Sequence, residues 1–290
     1  SMTNFLTNPA MKTILSISTL ALFAGAAMAE TVNIVASDLT ETGVNYIPIE
    51  ENANIEVFID GLKETSEATK VARIYLGKDT LGSGTRAYGD IKVSLSNLGV
   101  TDRISFVRSD GEAEMTAGKL SYEVADSVSS STFYLGGQVW NGTRYTLDSV
   151  DAVFNGRNTA HATAGVMTGS DGAAACEVTV NNGIRFIMDG ENAYVRWMYV
   201  GGYNQSGSVM TINGGTYATL SAGSIGGNGT GTLSGGVYNY NGAVSHINGG
   251  THVKITGGGH GDVYGGSQVD KSSTSYIAVS YTHLRAHETR

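Results

Sequence analysis

The sequence predicts an all-β protein wound as a right-handed parallel β-helix, a β-solenoid, with irregular N-terminal rungs and a cap. Three observations predict it. A short unit recurs within residues 201–266: β-forming residues ending in Ile or Leu, one small polar residue, then Gly-Gly. Its copies, at 210–215, 231–236 and 253–258, space Ile212, Leu233 and Ile255 almost evenly along the chain. The chain also holds 40 Gly but 2 Pro among 290 residues, a balance that suits hydrogen-bonded strands with tight corners rather than a Pro-rich stalk. A fixed period of roughly twenty residues, built from strand and turn signals, reads as a solenoid.

Side chains alternate across a strand, so Ile212, Leu233 and Ile255 share one face, with Met210, Gly231 and Val253 two positions before them. That face is expected inside. Thr211, Thr232 and Lys254, with Asn213, Ser234 and Thr256, are expected outside as a wet hydroxyl and amide column. Rungs stacked about 4.8 Å apart would then bury an apolar column that no single rung can bury alone. Gly214-Gly215, Gly235-Gly236 and Gly257-Gly258 are the expected corners, where a positive φ favours glycine. The competing reading is a disordered Gly-rich tail, but a linker has no need of β-branched and aromatic residues recurring in phase.

Residues 1–10 precede Met11 and read as upstream, non-native sequence. Residues 11–29 read as a secretory signal peptide: Lys12 is a short basic region, 13–27 is mostly apolar, and Ala27-Met28-Ala29 is a cleavage site. The expected location is therefore secreted or cell-surface, by Sec-type export. Residues 30–70 are expected to form the N-terminal cap, 71–200 irregular β-rich rungs and 201–278 the regular repeats. Within the first two, strands are expected at 31–35, 55–59, 71–76, 91–95, 104–107, 120–124, 132–135, 144–147, 152–154, 177–180, 184–188 and 194–200, and one short helix at 62–71. A separate N-terminal β-sandwich is the alternative. A looser echo joins Ile74 to Phe133 and Phe133 to Met198. At roughly twenty residues per rung, each of those intervals means three rungs.

Of 18 basic and 26 acidic residues, only Lys12, Arg285, Arg290 and Glu288 lie outside 30–278, leaving a net charge of −10 there. An acidic chain argues against nucleic acid and anionic membrane surfaces as partners. Cys176 is the only cysteine, so no intramolecular disulfide forms, and with no adjacent cation it reads as a small buried residue.

The chemical inventory is thin. Acid–base work on polysaccharides needs carboxylates converging on one bond, and no carboxylate lies between Glu191 and Asp262. The candidates are Asp148 with Asp151 and Asp189 with Glu191; Asp110, Glu112 and Glu114 read as a turn. Residues 226–231 and 258–262 are near misses to a calcium-roll repeat, with Gly where Asp is needed or Asp one place early. His161, His246, His252 and His260 lack the partners a zinc site needs, so no metal or cofactor is expected. Tyr217, Tyr238, Tyr240 and Tyr264 offer rings that stack on sugars or on one another.

With these residues in hand, the chain resembles the Gly-rich repeat proteins of bacterial surfaces, the β-helical passenger regions of autotransporters and adhesin-like proteins. The resemblance rests on recurring I-x-G-G and V-Y-G-G units, close over 201–266 and loose over 71–200. It implies an exported, extended, non-enzymatic structural or adhesive module, with host or cell-surface glycans or proteins as partners. A polysaccharide-active β-helix enzyme, lyase or glycoside hydrolase, is the alternative, and a calcium-stabilised roll the second. Residues 279–290 are unrelated to the repeat and resemble translated sequencing-adapter read-through. The natural chain is then expected to continue, and an autotransporter would carry an outer-membrane anchor there.

Overall fold

The computed structural model describes residues 29–77, 84–109, 111, 113–169, 173–226, 231–259 and 261–279. Residues 1–10, the expected leader apart from Ala29, the tail beyond Val279, and Asp110, Glu112, His260 and residues 227–230 lie outside that set. Among the described residues the chain forms three sheets of 13, 11 and 5 strands, paired in parallel. One coil shows the plan. Glu177–Val180 and Ile184–Met188 lie on the first face, Tyr194–Val195 and Trp197–Tyr199 on the second, and Gly202–Gln205 on the third. Val209–Asn213 then returns to the first face beside Glu177–Val180. This is a parallel β-helix.

The length of a lap differs from expectation. Val178 pairs with Met210 and Met210 with Ser245, so these laps take 32 and 35 residues. The recurring Gly-Gly unit marks corners, and one coil has several. Ile212 stacks on Val180 and Ile247 on the first face, Leu233 on Met198 and Val263 on the second, and Ile255 on Leu220 in the other half of the first face. All three point inward, Ile212 and Leu233 fully buried and Ile255 partly so, but they line different walls rather than one column. The repeat that follows the laps is Ile-Asn-Gly-Gly at 212–215 and 247–250, where Asn248 Nδ2 donates to Asn213 Oδ1 at 2.9 Å. The longer echoes, from Ile74 to Phe133 and from Phe133 to Met198, are each two laps, through Ile104 and Ala162.

The corners also differ in kind. Gly214 and Gly215 have φ of +82° and +74°, as a left-handed corner requires. Gly235 and Gly236 do not; they are small because the next coil passes close by, where a Cβ on Gly235 would sit 2.7 Å from the Gly265 carbonyl oxygen. Gly258 follows the first pattern and Gly257 the second. Ser234, expected in a wet column, is buried and accepts a hydrogen bond from Gln268 Nε2 at 2.7 Å.

Residues 30–70 supply strands to the same sheets: Glu30–Val35 is the edge of the first, paired with Ile55–Asp60, and Val44–Ile47 begins the second. The strands within 71–200 continue these sheets, which leaves no separate sandwich among the described residues. The helix expected at 62–71 is instead a turn closed by a Leu62–Ala68 bridge, followed by Thr69–Leu76. So short a helix gains little in isolation, whereas Thr69–Leu76 pairs with strands on both sides.

The core is a set of inward columns. Ile55, Ile91, Leu120, Val150 and Ile184 stack in register, all essentially inaccessible. Phe133 on the second face meets Phe154 on the first edge-on at 4.9 Å. Polar struts cross the core: Tyr122 Oη donates to the Leu135 carbonyl at 2.6 Å, Tyr145 Oη to Gly136 at 2.9 Å, and Thr216 Oγ1 to Gly235 at 2.5 Å. Burial pushes both tyrosine pKa values up, so they remain donors at any ordinary pH. Tyr145→Phe leaves the Gly136 carbonyl without this donor and is expected to cost about 1–2 kcal/mol, read as a lower urea midpoint at unchanged m-value.

Candidate functional site

The structure does not bring the four candidate acids together. Asp148 sits at the bend between the two halves of the first face, where Asn182 Nδ2 donates to it at 2.5 Å and Ser149 Oγ at 2.9 Å. Asp189 sits past the end of that face, bonded to Asn155 Nδ2 at 2.7 Å, with Glu191 exposed in the turn beyond. The strand from Asp148 to Asn155 separates the two corners by roughly 20 Å at the usual rise per residue, well beyond the spacing of a glycosidase pair. Asp151 lies between them in an outward ladder, 2.7 Å from Lys119 Nζ and 3.9 Å from Arg185 Nε.

That ladder defines the outside of the first face. Glu56, Lys92, Ser121, Asp151, Arg185, Tyr217 and His252 stack in one column. Its members pair along the axis: Glu56 with Lys92 at 3.7 Å, Arg185 over the Tyr217 ring at 4.7 Å, and Tyr217 flat on His252 at 4.5 Å. Arg144 likewise bridges Glu114 and Glu177 at 3.6 and 3.4 Å. Each such exposed pair is worth little; together they fix the register. His246 stacks on Tyr276 at 4.9 Å. Among the described residues no group of three or more His, Cys, Asp or Glu converges on a metal position. Cys176 is buried, and desolvation raises its pKa away from the reactive thiolate.

The arrangement with the most distinctive chemistry is elsewhere, in the outer seam where the second face turns into the third. One outward column of the second face reads Tyr46, Tyr75, Ser105, Tyr134, Thr163, Tyr199, Ser234, Tyr264. From Tyr75 onward a ring alternates with a small hydroxyl residue. The small residue makes room for neighbouring columns to swing in. Arg103, two residues before Ser105, lies 5.2 Å over the Tyr134 ring. His161, two before Thr163, stacks at 5.1 Å on Trp197 and 6.3 Å from Tyr199. Tyr238, from the third face of the Ser234 coil, stacks at 5.0 Å on both Tyr199 and Tyr203. Of the four tyrosines noted in the sequence, Tyr217 lies on the first face and Tyr238 on the third; Tyr240 flanks Tyr238 at 6.3 Å and Tyr264 continues the seam.

The seam is outward by strand alternation yet largely buried, because the third face folds against it. Burial raises the pKa of Tyr134 and Tyr199 and lowers that of His161, where Arg196 adds to the effect. Neutral His161 therefore supports the fold. In the unfolded chain it takes up its proton near 6.5, before the folded state does, so stability is present above that pH and declines as pH falls below it. Thermal melts of the wild type are expected to drop more steeply on acidification below 6.5 than those of His161→Phe; parallel pH profiles would contradict this.

Toward its N-terminal part the seam becomes cationic. Arg73 pairs with Asp102; Arg103 lies 4.0 Å from the same carboxylate and donates through Nη1 to Gln138 Oε1 at 2.8 Å; Arg108 lies 4.2 Å over the Trp140 ring. Among the described residues, five buried polar atoms here have no hydrogen-bond partner: Tyr75 Oη, Arg103 Nε, Arg108 Nε, Gln138 Nε2 and Trp140 Nε1. Nothing in the sequence singled out these residues, since Arg73, Arg103 and Arg108 belong to no motif, and Arg103 and Arg108 meet Gln138 only through the coil register. The chain matches no protein-family model, no curated protein and no solved structure.

Proposed function

We propose that the chain is an exported β-helix that serves as a structural or adhesive surface module, with glycans as its partners, and that it is not an enzyme. The observation that carries the reading is the fate of the outward carboxylates. Asp148, Asp151 and Asp189 are each engaged by a residue of a neighbouring coil, at separate places on the surface. A carboxylate held this way registers coils; it does not share a bond with a second acid. The continuous parallel ladder gives a long stiff rod, and the exposed and half-exposed rings at the margin of the seam, Tyr46, Tyr238, Tyr240 and Tyr264, give that rod places suited to sugar rings. The bacterial surface repeat proteins that the sequence resembles are likewise exported and extended, and many mediate adhesion. The test is incubation with a panel of neutral and acidic polysaccharides, read as new reducing ends or unsaturated products. No turnover is expected. Turnover that is lost in Asp148→Asn, Asp151→Asn, Asp189→Asn or Glu191→Gln would establish the enzyme reading instead.

A further inference from the structure

We propose that the cationic end of the seam, around Gln138, is a binding site for the oxyanion of an acidic glycan, a sugar-borne carboxylate or sulfate; this rests on the adhesive reading above and specifies its ligand. The five unpartnered atoms are the starting point. Gln138 is 0% exposed and Tyr75 1%, so neither Gln138 Nε2 nor Tyr75 Oη reaches bulk water. Leaving such groups unpaired is costly. All five can donate, and four of them, the Arg103 and Arg108 Nε, Gln138 Nε2 and Trp140 Nε1, can only donate. A cluster of unpaired donors calls for an acceptor, and beside guanidinium groups the matching acceptor is an anion.

Topology puts them together. Gln138 and Trp140 lie two residues apart with buried Val139 between them, so both point out of the coil into the seam. Arg108 bridges Gln138 on the preceding coil, and Arg103 bonds its side chain. Tyr75 stacks on Ser105, two residues from Arg103. Arg73 and Arg103 share one described carboxylate, Asp102, whose closer partner is Arg73, and Arg108 is ion-paired with none of the described carboxylates. Among the described residues the site is thus locally positive, on a chain whose net charge is −8. Arg103 is 22% exposed at its side chain, and both it and Arg108 rest on a ring face, so each can turn toward an entering anion without leaving its ring.

The same geometry favours a glycan over a free ion. Tyr46, 41% exposed and stacked on Tyr75 at 5.7 Å, offers a ring surface at the rim.

The experiment is titration calorimetry of the folded protein with three probes at low salt: a heparin-type sulfated octasaccharide, an oligogalacturonate of the same length, and maltooctaose. At least one acidic probe is expected to bind at least tenfold more tightly than the neutral one and to weaken at about 0.5 M NaCl. Preference between the two acidic probes assigns sulfate or carboxylate. Arg103→Leu and Arg108→Leu are expected to weaken binding at least tenfold, and Arg144→Leu, an exposed ion-paired arginine on the first face, to leave it unchanged. Tyr75→Phe is the near-isosteric check: it is expected to melt no lower than wild type while binding more weakly. Acidic probes that bind no better than the neutral one, or seam variants that all bind as wild type, would overturn the proposal. Chromatography of the same samples keeps the two readings apart. A cleaved probe contradicts the non-enzymatic function alone, whereas an intact probe that does not bind contradicts the seam site alone.

Discussion

Gly165→Ala is expected to destabilise the β-helix by on the order of 3 kcal/mol, the largest effect of any single added carbon considered for this chain. Gly165 stands at the corner between the second and third faces, and its backbone passes against Gly201 of the next coil. Its N–H donates to the Val200 carbonyl at 3.1 Å, while the Gly136 N–H donates to its own carbonyl at 3.0 Å. A Cβ there would overlap the Gly201 carbonyl oxygen, lie 2.6 Å from that carbonyl's carbon and lie 2.9 Å from Ile184 Cδ1. The first two obstacles are backbone, which cannot rotate away as a side chain does. Relief requires moving one coil off the next, and that sacrifices the ladder bonds on both sides. Gly142→Ala serves as the contrast. That glycine has φ +85° but nothing closer than 3.8 Å, so it carries backbone strain without a clash and a smaller loss, about 1 kcal/mol, is expected. Urea denaturation of the two variants in parallel separates the effects; equal losses would show that the corners are not packed coil against coil.

Asn204→Ala is expected to cost about 3–5 kcal/mol. Asn204 is completely buried where the third face turns back to the first. Its Nδ2 donates to the Ser208 carbonyl at 3.1 Å, to Asn239 Oδ1 at 3.1 Å and to the Val244 carbonyl at 2.9 Å, and its Oδ1 accepts from Thr168 Oγ1 at 2.9 Å. The chain of contacts continues from Asn239 Nδ2 to Ser245 Oγ at 2.8 Å and from there to Ser275. Four coils are thus stitched through one internal polar ladder. Alanine removes a donor and an acceptor and leaves partners inside a site that water does not reach. Because a solenoid's stability is a sum over neighbouring coils, the loss should be local. Hydrogen exchange is expected to accelerate across 168–245 and to stay near wild type across 55–124. Uniform acceleration along the chain would contradict a stacked, coil-by-coil architecture.

The fold class was legible because its signals are local. Gly-Gly after a β-branched run marks a corner whichever corner it is, and alternation along Ile184–Met188 or Val209–Asn213 marks a half-buried strand. The lap was not legible from the same units. Corners at 214–215, 235–236 and 257–258 recur faster than the chain closes a turn, so their period imitates a shorter coil. The slower Ile-Asn-Gly-Gly repeat was present and carried the true spacing, but two copies make a weak period. Tyrosine shows the limit most clearly. Tyr122 and Tyr145 point into the core while Tyr75, Tyr134 and Tyr199 point into the seam. All five sit in similar β-rich stretches, and which way each faces depends on the register of its coil. Along the seam column the lap from Tyr46 to Tyr75 is shorter than the lap from Thr163 to Tyr199, and that variation erases the alternation from any fixed-period search. The cationic site was hidden for the same reason: Arg103 and Gln138 are 35 residues apart in sequence and bonded in space.

The lap length is the claim on which the faces, the seam and the internal ladder all depend, and paired cysteines test it most directly. Asn213 and Asn248 are register partners on adjacent coils, accessible and hydrogen-bonded to each other. Neighbouring strands are about 4.8 Å apart, within the Cα range a disulfide spans. Asn213→Cys with Asn248→Cys is expected to oxidise readily to an intramolecular disulfide, with the buried Cys176 taking no part. Thr211→Cys with Thr232→Cys, matched by the shorter period but lying on different faces, is expected to remain reduced. Cross-linking of the second pair and not the first would contradict the three-faced coil.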